Sequence, residues 1–279
     1  MTYHLFYISI TQNLFFMQQY CTKNNSVSCD FLVKTMSLPA QYCIINFKEL
    51  LLPRGGTLMK SAIDPAWEKI HSERTWGMYP TEHVIRFVAR NYYKTDRKNT
   101  RILDFGCGSG AHTWYLSKEG FDTYGFDGAP SAIKRAEEIL KEERLFANLS
   151  VQDAISLSYE DNFFDSVIDN VTSGQNLMPD IEKMYDEVFR CLKSGGKYFN
   201  VSFGQKTTGY GTGTEEEPGT FTNMVSDNFS QVGRIHFFTH DEIAALLEKH
   251  GFQVIQKENV LYTDTGHPIE HLITVAVKP

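Results

Sequence analysis

A glycine-rich turn and the acidic residues around it carry most of the chemistry legible in this chain. The run Asp104-Phe105-Gly106-Cys107-Gly108-Ser109-Gly110 sets three glycines at alternate positions. Glycine accepts positive φ and has no Cβ, so such a turn lets a ligand come close to backbone N–H groups. Asp104 stands two residues before the first glycine, Asp127 follows Gly106 by 21 residues, and Asp153 and Asp169-Asn170 come later. Two chemistries fit. Gly106, Gly108 and Ala111 match G-x-G-x-x-A, in which a dinucleotide pyrophosphate rests on the next helix and Asp127 binds a ribose. Against this, the Asp104 carboxylate would repel a pyrophosphate and attract a nucleoside that carries positive charge and no phosphate. Both readings remain open on these residues alone.

The elements that must position these groups alternate between strand and helix. The spacing predicts helices over Asp64–Trp76 and Thr81–Tyr93. Arg101–Phe105 reads as a short buried strand running into the glycine turn, followed by a helix that stops at Gly120. Further strands are predicted over Asp122–Phe126, Leu149–Gln152, Phe164–Asp169 and Lys197–Phe203. Helices fall between them, one from Pro130 to about Arg144 and one capped by Asp180 with apolar residues at spacings of three and four. This alternation predicts an α/β, doubly wound, mostly parallel sheet, with ligands bound beyond the strand ends. Residues 204–233, rich in Gly, Thr and Ser, read as a long substrate-side loop. Thr239-His240-Asp241-Glu242 reads as a capping box, and two β runs joined by a Gly-His-Pro turn end the chain as an antiparallel hairpin.

Composition narrows the class. The 279 residues are 42% hydrophobic and 22% charged, as in ordinary globular proteins. The net charge of −7 disfavours nucleic acid as a partner. No apolar run reaches the roughly 18 residues a membrane span needs. Five irregularly spaced cysteines without a CxxC pair suggest neither a disulfide framework nor a metal site, and fit a cytoplasmic setting. Residues 1–58 differ from the rest: their charges are Lys23, Asp30, Lys34, Lys48, Glu49 and Arg54 only. They lack the basic start and cleavage site of a signal peptide. Arg54-Gly55-Gly56 can be encoded as a purine-rich ribosome-binding site before Met59. Residues 1–58 are therefore expected to be a non-native or disordered extension, and 59–279 the functional domain.

Together LDFGCGSG (103–110), YGFDG (124–128), VQDA (151–154), FDSVIDN (164–170) and LKSGGKYF (192–199) resemble the class I S-adenosylmethionine-dependent methyltransferases over about residues 60–279. The resemblance implies a seven-stranded sheet of order 3-2-1-4-5-7-6 and S-adenosyl-L-methionine as cofactor. It implies that Gly106, Cys107 and Gly108 line the cofactor's amino-acid moiety, with Asp104 close to its ammonium. Asp127, followed by Gly128, would accept from both ribose hydroxyls. Asp153 would accept from the adenine amino group, Ala154 would donate its N–H to the ring, and Asn170 would lie under the sulfonium. WEKIHSERTWGMYP (67–80) and FDGAPSAI (126–133) look like bacterial small-molecule members, and Trp67, Trp76 and Tyr79 are candidates to cover the cofactor. Asp169-Asn170-Val171-Thr172 stands where base-amine methyltransferases carry an Asp/Asn-Pro-Pro-Tyr tetrapeptide. The expected acceptor is thus a small molecule, and the expected assembly a monomer or homodimer. If the acceptor must lose a proton, Asp169, His236 and Tyr79 are the candidate bases. An NAD-dependent oxidoreductase and a non-catalytic adenosyl-nucleoside binder are the alternatives.

Overall fold

The glycine run sits at the middle of one sheet. The computed structural model describes residues 64–73, 77, 79–225, 229 and 232–279, so the expectations for residues 1–58 and for Trp76 lie outside the described residues. Strand β1 (Arg101–Phe105) lies between β2 (Asp122–Asp127) and β4 (Phe164–Asn170) and runs parallel to both, with Leu103 opposite Tyr124 on one side and Val167 on the other. Strand β3 (Asn148–Val151) pairs beyond β2, and β5 (Leu192–Phe203) beyond β4, again in parallel. Strand β10 (His267–Val277) pairs antiparallel with β5 and with the edge strand β9 (Gln253–Asp264). The order β3-β2-β1-β4-β5-β10-β9 is the one expected, once three small strands between β5 and β9 are numbered in.

Side chains alternate across the sheet, so each strand feeds two layers. Ile102 packs with Val84, Phe87 and Val88 of α2 (Glu82–Tyr92) and with Leu116 of α3 (Ala111–Lys118). Leu103 and Phe105 face the other way, into Ile181, Met184, Tyr185 and Val188 of α5 (Met178–Cys191) and Ile243 and Leu247 of α6 (His240–Lys249). Spacings of three and four put each apolar set on one helical face. Helix α4 (Pro130–Glu142) packs so close to the start of α3 that a Cβ at Gly110 would collide with Ala136. Helix α1 (Pro65–Glu73) lies against α4: Glu68 accepts hydrogen bonds from the Ser131 N–H and hydroxyl, and Arg135 Nε donates to the His71 carbonyl at 2.7 Å. No helix among the described residues is long and apolar enough to cross a membrane.

Three expectations need correction. Asp180 is not the cap of α5 but sits in its first turn, with Leu177 at the cap, because Pro179 suits the first helical turn. The C-terminal hairpin turns at Thr265-Gly266, and His267 and Pro268 already pair with Asp264 and Thr263. Residues 204–233 are not a structureless loop. They contribute β6 (Thr214–Glu217) and β7 (Thr220–Thr222), which form a small antiparallel sheet with β8 (Ile235–His236). Phe221, Met224, Phe229, Val232, Ile235 and Phe237 bury together against Ile269, with Trp67 and Phe203 alongside. The apolar residues are too widely spaced to show a period of two, which hid this cluster. The Thr239–Glu242 capping box forms as expected, both reciprocal hydrogen bonds being present.

Candidate functional site

At the C-terminal ends of β1, β2 and β4 the chain leaves an open cleft of about 260 Å³. The glycine turn forms its floor. Gly106, Gly108 and Gly110 adopt φ of 68°, 52° and 89°, the left-handed region where a side chain is costly. The Cys107 N–H donates to the Phe126 carbonyl at 2.8 Å, which joins the turn to β2. A Cβ on Gly106 would run into Thr172, and one on Gly108 would meet the His71 ring at 3.4 Å.

Asp127 ends β2 and borders the cleft. Its Oδ2 accepts from the Gly108 N–H at 2.9 Å and its Oδ1 from the Ala129 N–H at 2.8 Å. Burial pushes this carboxyl above the usual range, and the two N–H groups and nearby His71 oppose that shift. Each oxygen keeps a lone pair for a ligand hydroxyl. Gly128, Asp153, Ala154 and Asn170 also border the cleft, as do Cys107 and Tyr79. Asp153 Oδ1 accepts from the Ile155 N–H at 3.3 Å, a turn that fixes where the carboxylate stands. Asn170 Oδ1 is buried and has no hydrogen-bond partner among the described residues, an unsatisfied acceptor at the end of β4. The Cys107 thiol is driven well upward by burial, which fits a packing residue and not a nucleophile. Tyr79 is 76% exposed at the mouth.

Three candidate residues lie elsewhere than expected. Asp104 is 1% exposed and does not border the cleft. Strand alternation turns it beneath α3, where its Oδ2 accepts from the Thr113 N–H at 2.9 Å and hydroxyl at 2.7 Å. Asp169 is fully buried under the sheet. Its Oδ1 accepts from the N–H groups of Thr172 at 2.9 Å and Ser173 at 3.2 Å, and its Oδ2 from the Tyr198 hydroxyl at 2.6 Å and Asn200 Nδ2 at 3.0 Å. Desolvation raises its pKa. It organises the turn after β4 and does not border the cleft. His236 is held between Thr220 Oγ1 at 2.7 Å and Glu242 Oε1 at 3.1 Å, away from the cleft, and ties the small sheet to α6.

Sequence reasoning passed over two histidines that the fold brings to the cleft. His71 stands one turn from Trp67 on α1, its Nδ1 3.3 Å from Ser109 Oγ. Burial lowers its pKa, helped by Arg135 and opposed by Asp127 and Glu68. The i, i+4 spacing with Trp67 was the available signal. His112, in the first turn of α3, borders the cleft beside Thr81.

Two backbone donors around this helix start face carboxylates and not a pyrophosphate: Asp127 occupies the Gly108 N–H and Asp104 the Thr113 N–H. Those carboxylates, the glycine cradle and the unpartnered Asn170 oxygen fit instead a cationic, phosphate-free nucleoside. Comparison with known proteins agrees. A methyltransferase-domain family model matches residues 96–261. A solved S-adenosylmethionine-dependent methyltransferase from Methanosarcina mazei superimposes with a TM-score of 0.60 at 26% identity, covering 72% of this chain and 98% of that one. Phosphoethanolamine N-methyltransferase 2 of Caenorhabditis elegans is 30% identical over 60% of this chain and 37% of its own. The chloroplastic tocopherol O-methyltransferase of Arabidopsis thaliana is 28% identical over 63% of this chain and 50% of its own. The chain thus spans half or less of the length of these two curated relatives. It belongs to the methyltransferase-domain family.

Proposed function

We propose that residues 59–279 transfer a methyl group from S-adenosylmethionine to a small-molecule acceptor held in the cleft. One observation carries this most: carboxylates occupy two backbone donors around the start of α3, those of Gly108 and Thr113, which suits a cationic nucleoside and opposes a dinucleotide phosphate. The cofactor supplies a methyl group on a positively charged sulfur, open to in-line displacement by an acceptor lone pair. In this reading Asp127 holds the ribose diol, Asp153 and Ala154 the adenine, and the Gly106–Gly108 backbone the amino-acid part. Asn170 lies under the sulfonium.

Trp67, Tyr79 and Asp64 border the cleft on the side of the small sheet, and Trp67 packs on that sheet's apolar cluster. They are the walls against which an acceptor would lie. Asp169 and His236 do not border the cleft, which supports a reading in which catalysis rests on alignment, with Tyr79 the candidate base at the mouth. The named activities of the curated relatives, on phosphoethanolamine and on tocopherol, support a small molecule as acceptor. The net charge of −7 supports a partner other than nucleic acid. A cytoplasmic monomer or homodimer completes the reading.

Calorimetric titration with S-adenosylhomocysteine and with NAD tests it. The homocysteine product is expected to bind and NAD to leave no heat. Asp127→Ala is expected to weaken binding by about 10- to 100-fold, the loss of hydrogen bonds to a charged group. Binding of NAD alone would sink the proposal. A metabolite extract with a labelled methyl donor then separates an enzyme from a mere nucleoside binder.

A further inference from the structure

We infer that the acceptor is an amine, its nitrogen held between Asp64 and Asn176 on the small-sheet side of the cleft. The inference deepens the reading above and rests on it. Asp64 precedes α1 and fixes its start, with Oδ1 accepting from the Ala66 N–H at 2.9 Å. Its other oxygen, Oδ2, has no partner among the described residues and stands against Gly233, where a Cβ would fall on it. Glycine at 233 thus leaves room for a carboxylate on the cleft wall. From Gly233 the chain enters β8. A Cβ on Gly174 would meet the Phe238 ring at 3.3 Å and the His236 carbonyl at 3.6 Å, so the turn that carries Asn176 lies under the same stretch. Asn176 is 8% exposed, and its Nδ2 donates to the carbonyls of Thr172 and Ser173, each at 3.3 Å. Carbonyls only accept, so the amide nitrogen is fixed there and Oδ1 is turned away from them. Oδ1 has no partner among the described residues and keeps contact with solvent on the cleft that Asn176 borders.

Two acceptor oxygens thus face this part of the cleft. A hydroxyl has one hydrogen to give them. A protonated amine has up to three and carries the charge that a carboxylate favours. Trp67 and Tyr79 border the cleft as well, and aromatic faces attract an ammonium. The flow of charge in the reaction agrees. The amine first gives a proton to water at the open mouth. Its freed lone pair forms the new C–N bond as the methyl–sulfur bond breaks, and the electron pair of the broken bond stays on sulfur. Positive charge passes from sulfur to nitrogen. Asp64 stands on the side where that charge arrives and stabilises it.

The test uses the complex with S-adenosylhomocysteine and two probes of one shape. 2-(Dimethylamino)ethanol is a cation with one N–H at neutral pH, and 3-methylbutan-1-ol has carbon in place of the nitrogen. NMR titration is expected to show the amine bound about 10- to 100-fold more tightly. Choline keeps the charge but has no N–H, and is expected to fall between. Asp64→Asn keeps an oxygen for the Ala66 N–H, so the start of α1 is preserved. It is expected to lower affinity for the amine about tenfold or more and for the alcohol by no more than about twofold. Unchanged S-adenosylhomocysteine affinity shows that the variant is folded. A wild type that binds amine and alcohol equally, or an Asp64→Asn protein that keeps the preference, would overturn the assignment while leaving the nucleoside reading intact. Choline bound as tightly as the amine would overturn the contact with Asn176. A wild type that does not bind S-adenosylhomocysteine would end both readings.

Discussion

The contact between Gly106 and Thr172 permits a quantitative test of the cleft floor. An alanine at position 106 meets two penalties. Its backbone must hold φ near 68°, a left-handed conformation that costs a residue with a Cβ about 1–2 kcal/mol. Its Cβ would also overlap the Thr172 side chain, and overpacking of that kind costs about 1–3 kcal/mol. The sum, about 2–5 kcal/mol, converts to a fall in melting temperature of about 4–20 °C for a domain of this size. Thr172→Ala alone loses the hydrogen bond from its hydroxyl to the Gly106 carbonyl, seen at 3.3 Å and worth about 1 kcal/mol. It also removes two of the colliding atoms. The double variant is therefore expected to be more stable than the sum of the two single losses by about 1 kcal/mol or more, a coupling typical of residues in contact. Differential scanning calorimetry of the wild type and the three variants supplies all four corners of the cycle. A Gly106→Ala protein that melts within a degree of the wild type would refute the argument, and so would a double variant whose loss is strictly additive.

Three other groups in the fold carry expected outcomes. Burial raises the Asp127 carboxyl, and once protonated it cannot accept from both ribose hydroxyls. S-Adenosylhomocysteine affinity is thus expected to weaken as pH falls through that raised value, and a titration series showing affinity flat across the acidic range would contradict this. His271 is held down to about 4 by burial, with His83 beside it, against 6.5 in the unfolded chain. Its contribution to stability is present above pH 6.5 and is lost as pH falls from there towards 4, by up to about 3 kcal/mol. His271→Leu should flatten acid denaturation across that window, and an unchanged profile would count against it. Cys107 is buried with its thiol pushed upward, so it should resist iodoacetamide in the native protein. Cys107→Ala should keep S-adenosylhomocysteine affinity within about threefold, and a larger loss would give the sulfur a role beyond packing.

Strands β1, β2 and β4 were readable because each is short and ends at or beside a Gly, Asp or Asn, and because the helices repeat at three and four. The hairpin of β9 and β10 was readable as two long β runs around Gly266. The small sheet of β6, β7 and β8 was not. Its glycines and threonines resemble a loop locally, and its stability comes from a cluster assembled at a distance, with Ile269 on β10, Phe203 on β5 and Trp67 on α1. Single-chain periodicity carries no trace of such contacts. The same holds for His71 and His112. Their spacing marks them as helical, but only tertiary packing brings them over Gly108 and beside Thr81.

The acidic residues show where sequence reasoning stops and why. Asp104, Asp127 and Asp169 all stand at or near a strand end before a turn, and nothing local tells them apart. The structure divides them by one residue of register. Asp127 and Asn170 are the last residues of β2 and β4, and both border the cleft. Asp104 and Asp169 are the penultimate residues of β1 and β4, and both are buried beneath the elements that follow, bonded to Thr113 and to Tyr198 and Asn200. A last residue has no following strand neighbour and can turn its side chain over the sheet's edge. A penultimate one is still bound by pleat alternation and must point into a packed layer. Since strand ends are uncertain by a residue or two in any sequence reading, the sequence can identify such carboxylates as a set but cannot sort the ligand-facing from the buried. Moving Asp127 one place back, by the paired change Phe126→Asp and Asp127→Phe, should therefore abolish S-adenosylhomocysteine binding although the composition of the turn is unchanged. Retained affinity in a folded protein would show that register is not what selects the ligand-facing acid.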